Sequence, residues 1–246
     1  MTSSALADAV DVRLASTSLA SGPGVARRCR ALLTPEESAA CDALRDEADR
    51  RSSLVARALV RTTLSRYAPV APDAWRFERA AGGRPEIASP TGTRLRFNLS
   101  HTRELVACAV ALDTDVGVDV ERVEDHADLL DLAATVMSDD EFAAFRSQPA
   151  AERPRRFFAA WTLKEAYLKA RGFGLVQSPT LARFDVDAAG VVRAQFAPEL
   201  ADDASQWGFA LLDAGADHLL AVALRRPGAP RVRVLRATSL DAAPAP

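Results

Sequence analysis

Lys164 and Lys169 are the only lysines in a chain of 246 residues whose lysines and arginines together number 31. They flank Glu165 in the stretch WTLKEAYLKARG. Glu165 and Lys169 are i and i+4, an arrangement that supports a helix by ~0.2–0.5 kcal/mol, but an arginine would serve that purpose equally well. Lysine differs in being a compact ammonium with an adjustable pKa, suited to a point charge beside a phosphate. Upstream, GVDVER sets Asp119 and Glu121 two apart. On a strand such residues share a face, so Gly117, Asp119 and Glu121 look one way and Val116, Val118 and Val120 the other. Two carboxylates about 7 Å apart on one face repel unless water or a cation relieves them. Taken alone, that stretch reads as the exposed polar face of an amphipathic strand. A third group is GGRPEI followed by LRFNLSHT, where Gly82 and Gly83 permit a close backbone approach, Arg84 follows, and a strand ends at His101. Arg50, Arg57 and Arg61 form a stripe at helical spacing that alone reads as a solvated face. No His/Cys cluster has zinc spacing, and neither a GxSxG elbow nor a P-loop occurs.

These groups must be held by regular elements. VDVRLAST alternates as a strand does. TPEE at Thr34–Glu37 carries a capping box with proline at the first helical position. A second helix is expected over Ser52–Tyr67, then strands near Trp75–Arg79, Arg94–Leu99 and Leu105–Leu112, with AAGGRPEI and SPTGT as the breaks between them. VGVDVERV opens another round: a helix near Asp128–Met137, one capped at Ser138–Glu141, and a long one over Arg153–Arg171 closed by Gly172. On that long helix Glu165 borders the apolar side carrying Phe158, Trp161 and Leu168. Four strands follow, near Leu181–Val186, Val191–Phe196, Trp207–Leu212 and Leu219–Leu224. The order is strand, helices, antiparallel strands, then the same again, which suggests two α+β halves: residues 1–113 and 114–226, with 227–246 a flexible tail.

The composition is that of an ordinary soluble globular protein, with 48% apolar and 26% charged residues. A formal charge of −2 gives no electrostatic case for nucleic acid. The chain shows neither a secretory leader pattern nor an apolar run long enough to span a membrane. Three cysteines without paired spacing point to reduced thiols in the cytoplasm.

Together, FNLSHT, GVDVERV and FFAAWTLKEAYLKARGFGL resemble, in order and separation, the motifs of the Sfp-type 4′-phosphopantetheinyl transferases. Every fixed position of the (V/I)G(V/I)D(V/I)E strand and the W(T/S)xKE(A/S)xxK helix is filled. The resemblance implies an α+β pseudo-dimer of two similar halves, each with an antiparallel sheet packed against helices, folded as a monomer with the site between the halves. It implies transfer of the phosphopantetheine arm of coenzyme A to a serine of an apo acyl- or peptidyl-carrier protein, releasing adenosine 3′,5′-bisphosphate. It assigns Mg²⁺ to Asp119, Glu121 and Glu165, makes Glu165 the general base and sets Lys169 near the pyrophosphate. Lys164, Arg84, His101 and the Arg50/Arg51 region fall to coenzyme A, with Arg50, Arg51 and Arg57 all open as the nucleotide arginine. The pathway served, fatty-acid, polyketide or nonribosomal peptide, stays open. Val136, Met137 and Phe142, within 134–145, offer either a carrier-docking patch or core. The alternative is a catalytically silent coenzyme A or carrier-protein binding module, which would tolerate loss of one of the three carboxylates.

Overall fold

A computed structural model describes residues 6–80, 82–172 and 177–240. The end of the helix motif, at 173–176, and the last six residues of the expected tail lie outside them. The chain divides into two compact units: one takes residues up to Ala80, Pro85–Asp115 and the chain from Arg231 on, the other Ala81–Arg84 and Val116–Pro230.

In the first unit, β1 (Ala9–Ser16) is followed by three helices, α1 (Pro23–Ala31), α2 (Pro35–Asp42) and α3 (Glu47–Leu64). The expected capping box is formed: Thr34 Oγ1 accepts from the Glu37 amide, and the Glu37 carboxylate accepts from the Thr34 amide. Asp46 caps α3 through the Ala48 and Asp49 amides, so this helix begins a turn earlier than the sequence pattern suggested. Helix α1 adds to the elements expected from the sequence; it starts at Pro23, and proline is at home in the first helical turn. Next come β2 (Arg76–Arg79) and β3 (Pro85–Ser89), paired as an antiparallel hairpin, then β4 (Leu95–His101) and β5 (Leu105–Leu112). The segment read as a break thus contains β3. Strand β5 pairs antiparallel with both β1 and β4, and α3 packs across all three.

Because α1 and α2 also pack on α3, its arginine stripe is not a solvated face throughout. Arg61 is fully buried, donates to Glu37 Oε2 at 2.6 Å and lies 4.9 Å from the Phe77 ring centre. All three cysteines are buried and none is in a disulfide, and burial pushes the Cys108 thiol up to about 12, far from a reactive thiolate.

The second unit repeats this order. Strand β6 (Val116–Arg122) is followed by α4 (Leu129–Val136), α5 (Asp139–Arg146) and α6 (Arg153–Arg171), a hairpin of β7 (Ala182–Val186) and β8 (Val192–Phe196), then β9 (Gly208–Asp213) and β10 (His218–Leu224). Strand β10 pairs antiparallel with β6 and β9, as β5 does with β1 and β4. Helix α6 lies across β6 and β10 as α3 lies across its own sheet. Two α+β layers with one connectivity are therefore present, each helix–sheet unit built on a mostly antiparallel sheet. The aromatic core of the second unit gathers on Tyr167, whose ring stacks on Phe196 at 4.3 Å and meets Trp207 edge-on at 5.1 Å. Val136, Met137 and Phe145 are core here, and Phe142 is half-buried beside Arg146, so the exposed apolar side chains of this region are Leu130 and Leu132 instead.

The expectation of a flexible tail from 227 onward does not hold for its middle. Arg231–Arg236 form β11, which pairs parallel with β1 and completes the first unit's sheet in the order β11-β1-β5-β4. Its sequence, RVRVLR, alternates as a strand does. The neighbouring Pro- and Ala-rich composition masked that signal. No helix among the described residues is long and apolar enough to cross a membrane.

Candidate functional site

Strand β6 and helix α6 approach as closely as backbones can. A Cβ on Gly117 would stand 1.9 Å from the Ala166 carbonyl oxygen and 2.6 Å from the Ala170 amide. Only glycine fits, and its absence of a side chain lets the same face of β6 meet α6 along its length. Asp119, two residues on, meets Lys169: Nζ donates to Asp119 Oδ1 at 2.6 Å. Glu121, two further, meets Trp161, whose indole Nε1 donates to Glu121 Oε1 at 2.9 Å. Glu165 lies between Trp161 and Lys169 on the helix, half-buried.

The carboxylate face of β6 is therefore not the exposed polar face it resembled. Asp119 is 2% exposed, and β6 is buried from Val116 through Val120 because α6 covers the side that alternation marked as polar. Lys169 takes Asp119 as its ion-pair partner across the helix–strand interface.

Electrostatics sets these groups against one another. Burial first, then the Asp119 charge, pushes Glu121 up to about 7, with Glu165 adding to the rise; the Trp161 hydrogen bond and Lys169 pull the other way. Glu165 is also raised, by burial and Asp119, and held back by Lys169. Three carboxylates share one lysine, which leaves a local excess of negative charge.

This has a measurable consequence without any added ligand. A carboxyl whose folded pKa is raised takes up a proton on folding between about pH 4.5 and 7, so its cost to stability grows across that window and is fully present above it. Denaturant melts in a chelator should show Glu121→Gln gaining stability over the parent at pH 8, and no gain at pH 4. An equal effect at both values would mean that Glu121 ionises normally in the fold.

Among the described residues, no group of three His, Cys, Asp or Glu is gathered closely enough to hold a metal ion as it stands. The donor set nonetheless suits a hard divalent cation. All three candidates offer carboxylate oxygens, and burial raises the pKa of two of them, Glu121 and Glu165.

Of the positions assigned to coenzyme A, Arg84 belongs to this unit. Its Nη1 donates to the Ala170 carbonyl at 2.6 Å, at the end of α6, where Gly172 turns left-handed at φ 72°. A charged donor there satisfies one of the helix's last carbonyls. Lys164 is a correction. It is fully buried, and all three ammonium donors are in use: on Glu141 Oε2 at 2.8 Å, the Pro179 carbonyl at 3.0 Å and the Ala182 carbonyl at 2.6 Å. A lysine so enclosed has no donor left for a phosphate. Its place one residue before Glu165 turns it away from β6, onto the side of α6 that meets α5 and the chain leading into β7.

Arg50, Arg51 and His101 belong to the first unit. Arg50 donates to the Leu44 and Arg45 carbonyls, closing the loop before α3, and Arg51 lies 3.7 Å from Glu47. Arg57 is tied to the Ser53 carbonyl and hydroxyl one turn back. His101 ends β4 and is exposed. The sequence pattern puts Trp161 on the apolar side of α6 and carries no sign of its indole hydrogen bond to Glu121 beyond helical spacing. The signal that marks it is the helical spacing Trp161–Glu165–Lys169, which puts an N–H donor one turn before the acid.

Comparison with known proteins follows the same division. Residues 115–223 match the family model of the 4′-phosphopantetheinyl transferase superfamily, and residues 26–113 that of the 4′-phosphopantetheinyl transferase N-terminal region. A phosphopantetheinyl transferase of Thraustochytrium sp. is 30% identical over 230 residues, covering 87% of this chain and 79% of that protein. The 4′-phosphopantetheinyl transferase HetI of Nostoc sp. is 33% identical over 148 residues, 60% of this chain and 62% of its own. The 4′-phosphopantetheinyl transferase Sfp of Bacillus subtilis is 27% identical over 148 residues, 60% of this chain and 64% of its own. The chain thus spans less than two thirds of the length of the latter two relatives.

Proposed function

Because the chain belongs to the 4′-phosphopantetheinyl transferase superfamily, we propose that it moves the 4′-phosphopantetheine arm of coenzyme A to a serine of an apo acyl- or peptidyl-carrier protein. The observation that carries this reading is the array on β6 and α6: Asp119 held by Lys169, Glu121 held by Trp161, and Glu165 between them. In the proposed reaction the serine oxygen bonds to the phosphorus bearing the pantetheine arm. The bond from that phosphorus to the bridging oxygen breaks, and adenosine 3′,5′-bisphosphate leaves. Glu165 takes the serine proton, a task suited to a carboxylate made more basic by burial. Lys169 supplies the positive charge on the pyrophosphate side and holds Asp119 in place.

Asp119, Glu121 and Glu165 would hold Mg²⁺, which supplies charge neutralisation on the pyrophosphate oxygens when bound. Trp161 keeps Glu121 Oε1 hydrogen-bonded and so fixes how the carboxylate presents its other oxygen. Arg84, His101 and one of Arg50, Arg51 or Arg57 are proposed for the nucleotide end of coenzyme A. The buried cysteines, none of them in a disulfide, support a reducing, cytoplasmic setting, in which we take the protein to act as a monomer.

Intact-mass analysis of fatty-acid, polyketide and peptide apo-carriers, incubated with the protein, coenzyme A and Mg²⁺, tests the function. At least one carrier should gain a phosphopantetheine mass, and EDTA should prevent it; unchanged masses throughout would overturn the reading. A second test addresses Trp161. Trp161→Phe keeps an aromatic ring, though a smaller one, and deletes the N–H, so Mn²⁺ affinity, read by electron paramagnetic resonance, should weaken by about 10–100-fold. The melting temperature should stay near the parent's. Parental Mn²⁺ affinity in Trp161→Phe would reduce the indole to packing.

A further inference from the structure

Beyond the carboxylate array, the second unit holds another charged cluster, on the far side of α6. At about 100° per residue, Tyr167 and Arg171 stand one turn apart on the side of the helix away from Lys169. Both reach one acid, Asp202, in the segment between β8 and β9. Asp202 Oδ2 accepts from the Tyr167 hydroxyl at 2.9 Å, from the Trp207 indole at 3.0 Å and from Arg171 Nη1. Asp202 Oδ1 accepts from the Asp203 amide at 2.9 Å. Arg171 Nη1 also donates to the Tyr167 oxygen at 2.9 Å. The acid and the guanidinium are 8% and 14% exposed, so water screens them little. The chain turns sharply to bring the acid there. Leu200 is anchored in the core, and Ala201 takes a left-handed φ of 47°, a conformation that a residue with a Cβ adopts only when its surroundings impose it.

Helix stability alone does not account for this acid. The last carbonyls of a helix disfavour a nearby negative charge, and Gly172 already caps the end of α6. Helix ends nonetheless fray, and Lys169 lies in that last turn, two residues from each of the residues that grip Asp202. Asp119 holds the Lys169 ammonium from the β6 side; Asp202 holds the turn that carries it from the other. We propose that Asp202 is a positioning residue: through Arg171 and Tyr167 it locks the last turn of α6 and so sets where the Lys169 ammonium stands. That this serves phosphopantetheine transfer rests on the reading of Lys169 as the charge on the pyrophosphate side. That it holds Lys169 does not depend on that reading.

The chain's two lysines make the test direct: labelled with ¹³C at the lysine ε-carbon, the protein gives two side-chain resonances, which Lys169→Arg assigns. Asp202→Asn, which keeps the shape and removes the charge, should shift or broaden the Lys169 resonance and leave that of the enclosed Lys164 in place. Arg155→Gln breaks the exposed Arg155–Asp213 pair at the other end of α6 and should move neither. A parental Lys169 resonance in Asp202→Asn would overturn the proposal. So would equal displacement of both resonances, the mark of a general loosening of the unit. Should Asp202→Asn fail to fold, Tyr167→Phe, which deletes only a hydroxyl, decides by the same outcomes. In carrier modification, Asp202→Asn should lower kcat about 10–100-fold with little change in the KM for carrier. Made on Lys169→Met, the same substitution should cost nothing further. An undiminished loss on that background would show that Asp202 acts independently of Lys169 and would refute the proposal. A displaced Lys169 resonance, with no carrier modified by the parent protein, would uphold the positioning and refute the transfer reaction alone.

Discussion

Asp119→Asn should lower carrier modification by about 10²–10³-fold, the range expected when a preorganised charge at a reacting centre is removed. The substitution keeps the shape of a side chain that is almost wholly buried against α6. It removes the charge that pairs with Lys169 and contributes to the raised pKa of Glu121 and Glu165. Some stability is lost as well, because the charge-assisted hydrogen bond from Lys169 to Asp119 is lost, although Glu121 and Glu165 still face the ammonium. The double substitution Asp119→Asn with Lys169→Met separates the two effects. The double variant leaves Glu121 and Glu165 without the lysine, so it should recover none of the turnover, whatever its melting temperature. If the double variant regained turnover, the ion pair would be a packing device and the catalytic assignment of both residues would fall. Asp119→Asn with near-parental turnover at saturating coenzyme A, Mg²⁺ and carrier would have the same meaning.

Lys164→Met should unfold the protein far more readily, with little effect on the chemistry of whatever remains folded. Methionine fills the buried channel but offers no donor. The Glu141 carboxylate, itself mostly buried, and the Pro179 and Ala182 carbonyls would lose the ammonium that satisfies them. Leaving a buried charge without its partner costs about 3–5 kcal/mol, which corresponds to a melting temperature lower by roughly 10 °C or more in a chain of this size. Burial already presses the Lys164 pKa downward, against the pull of Glu141, so the pair is held by enclosure and geometry together. A coenzyme A ligand would behave the opposite way, with the melting temperature kept and the KM for coenzyme A raised. That opposite result would restore Lys164 to the binding site.

The chain's two lysines are thus retained for different reasons. Lys169 sits one turn beyond Glu165 and faces β6, where a compact ammonium fits against Asp119 beneath a backbone contact that only Gly117 allows. Lys164 faces away and ties α6 to the N-terminal turn of α5 and to the chain entering β7. Five residues of helix turn the chain through well over a full turn, so nearness in sequence did not imply a shared face. A short-range reading could see that lysine was required at both positions, but not that the two requirements differed.

Local chemistry made most of the elements legible. The capping boxes at Thr34 and Ser138, the glycine after α6 and the alternation of the late strands depend only on neighbouring residues, and they formed where the sequence places them. The pairing of GVDVER with the KE helix was also legible, because both motifs are short and their fixed positions are filled. What the sequence could not determine was which polar faces would be covered. Asp119 and Arg61 occupy positions whose periodicity marks them as exposed, yet both are buried, because α6 crosses β6 and because α1 and α2 close over α3. Strand β11 is a similar case: RVRVLR carries the pattern of a strand, but its partner is β1, more than two hundred residues earlier. Burial of a charge and the pairing of distant strands are properties of contacts between elements, and the free energy that decides them exists only once the elements have packed.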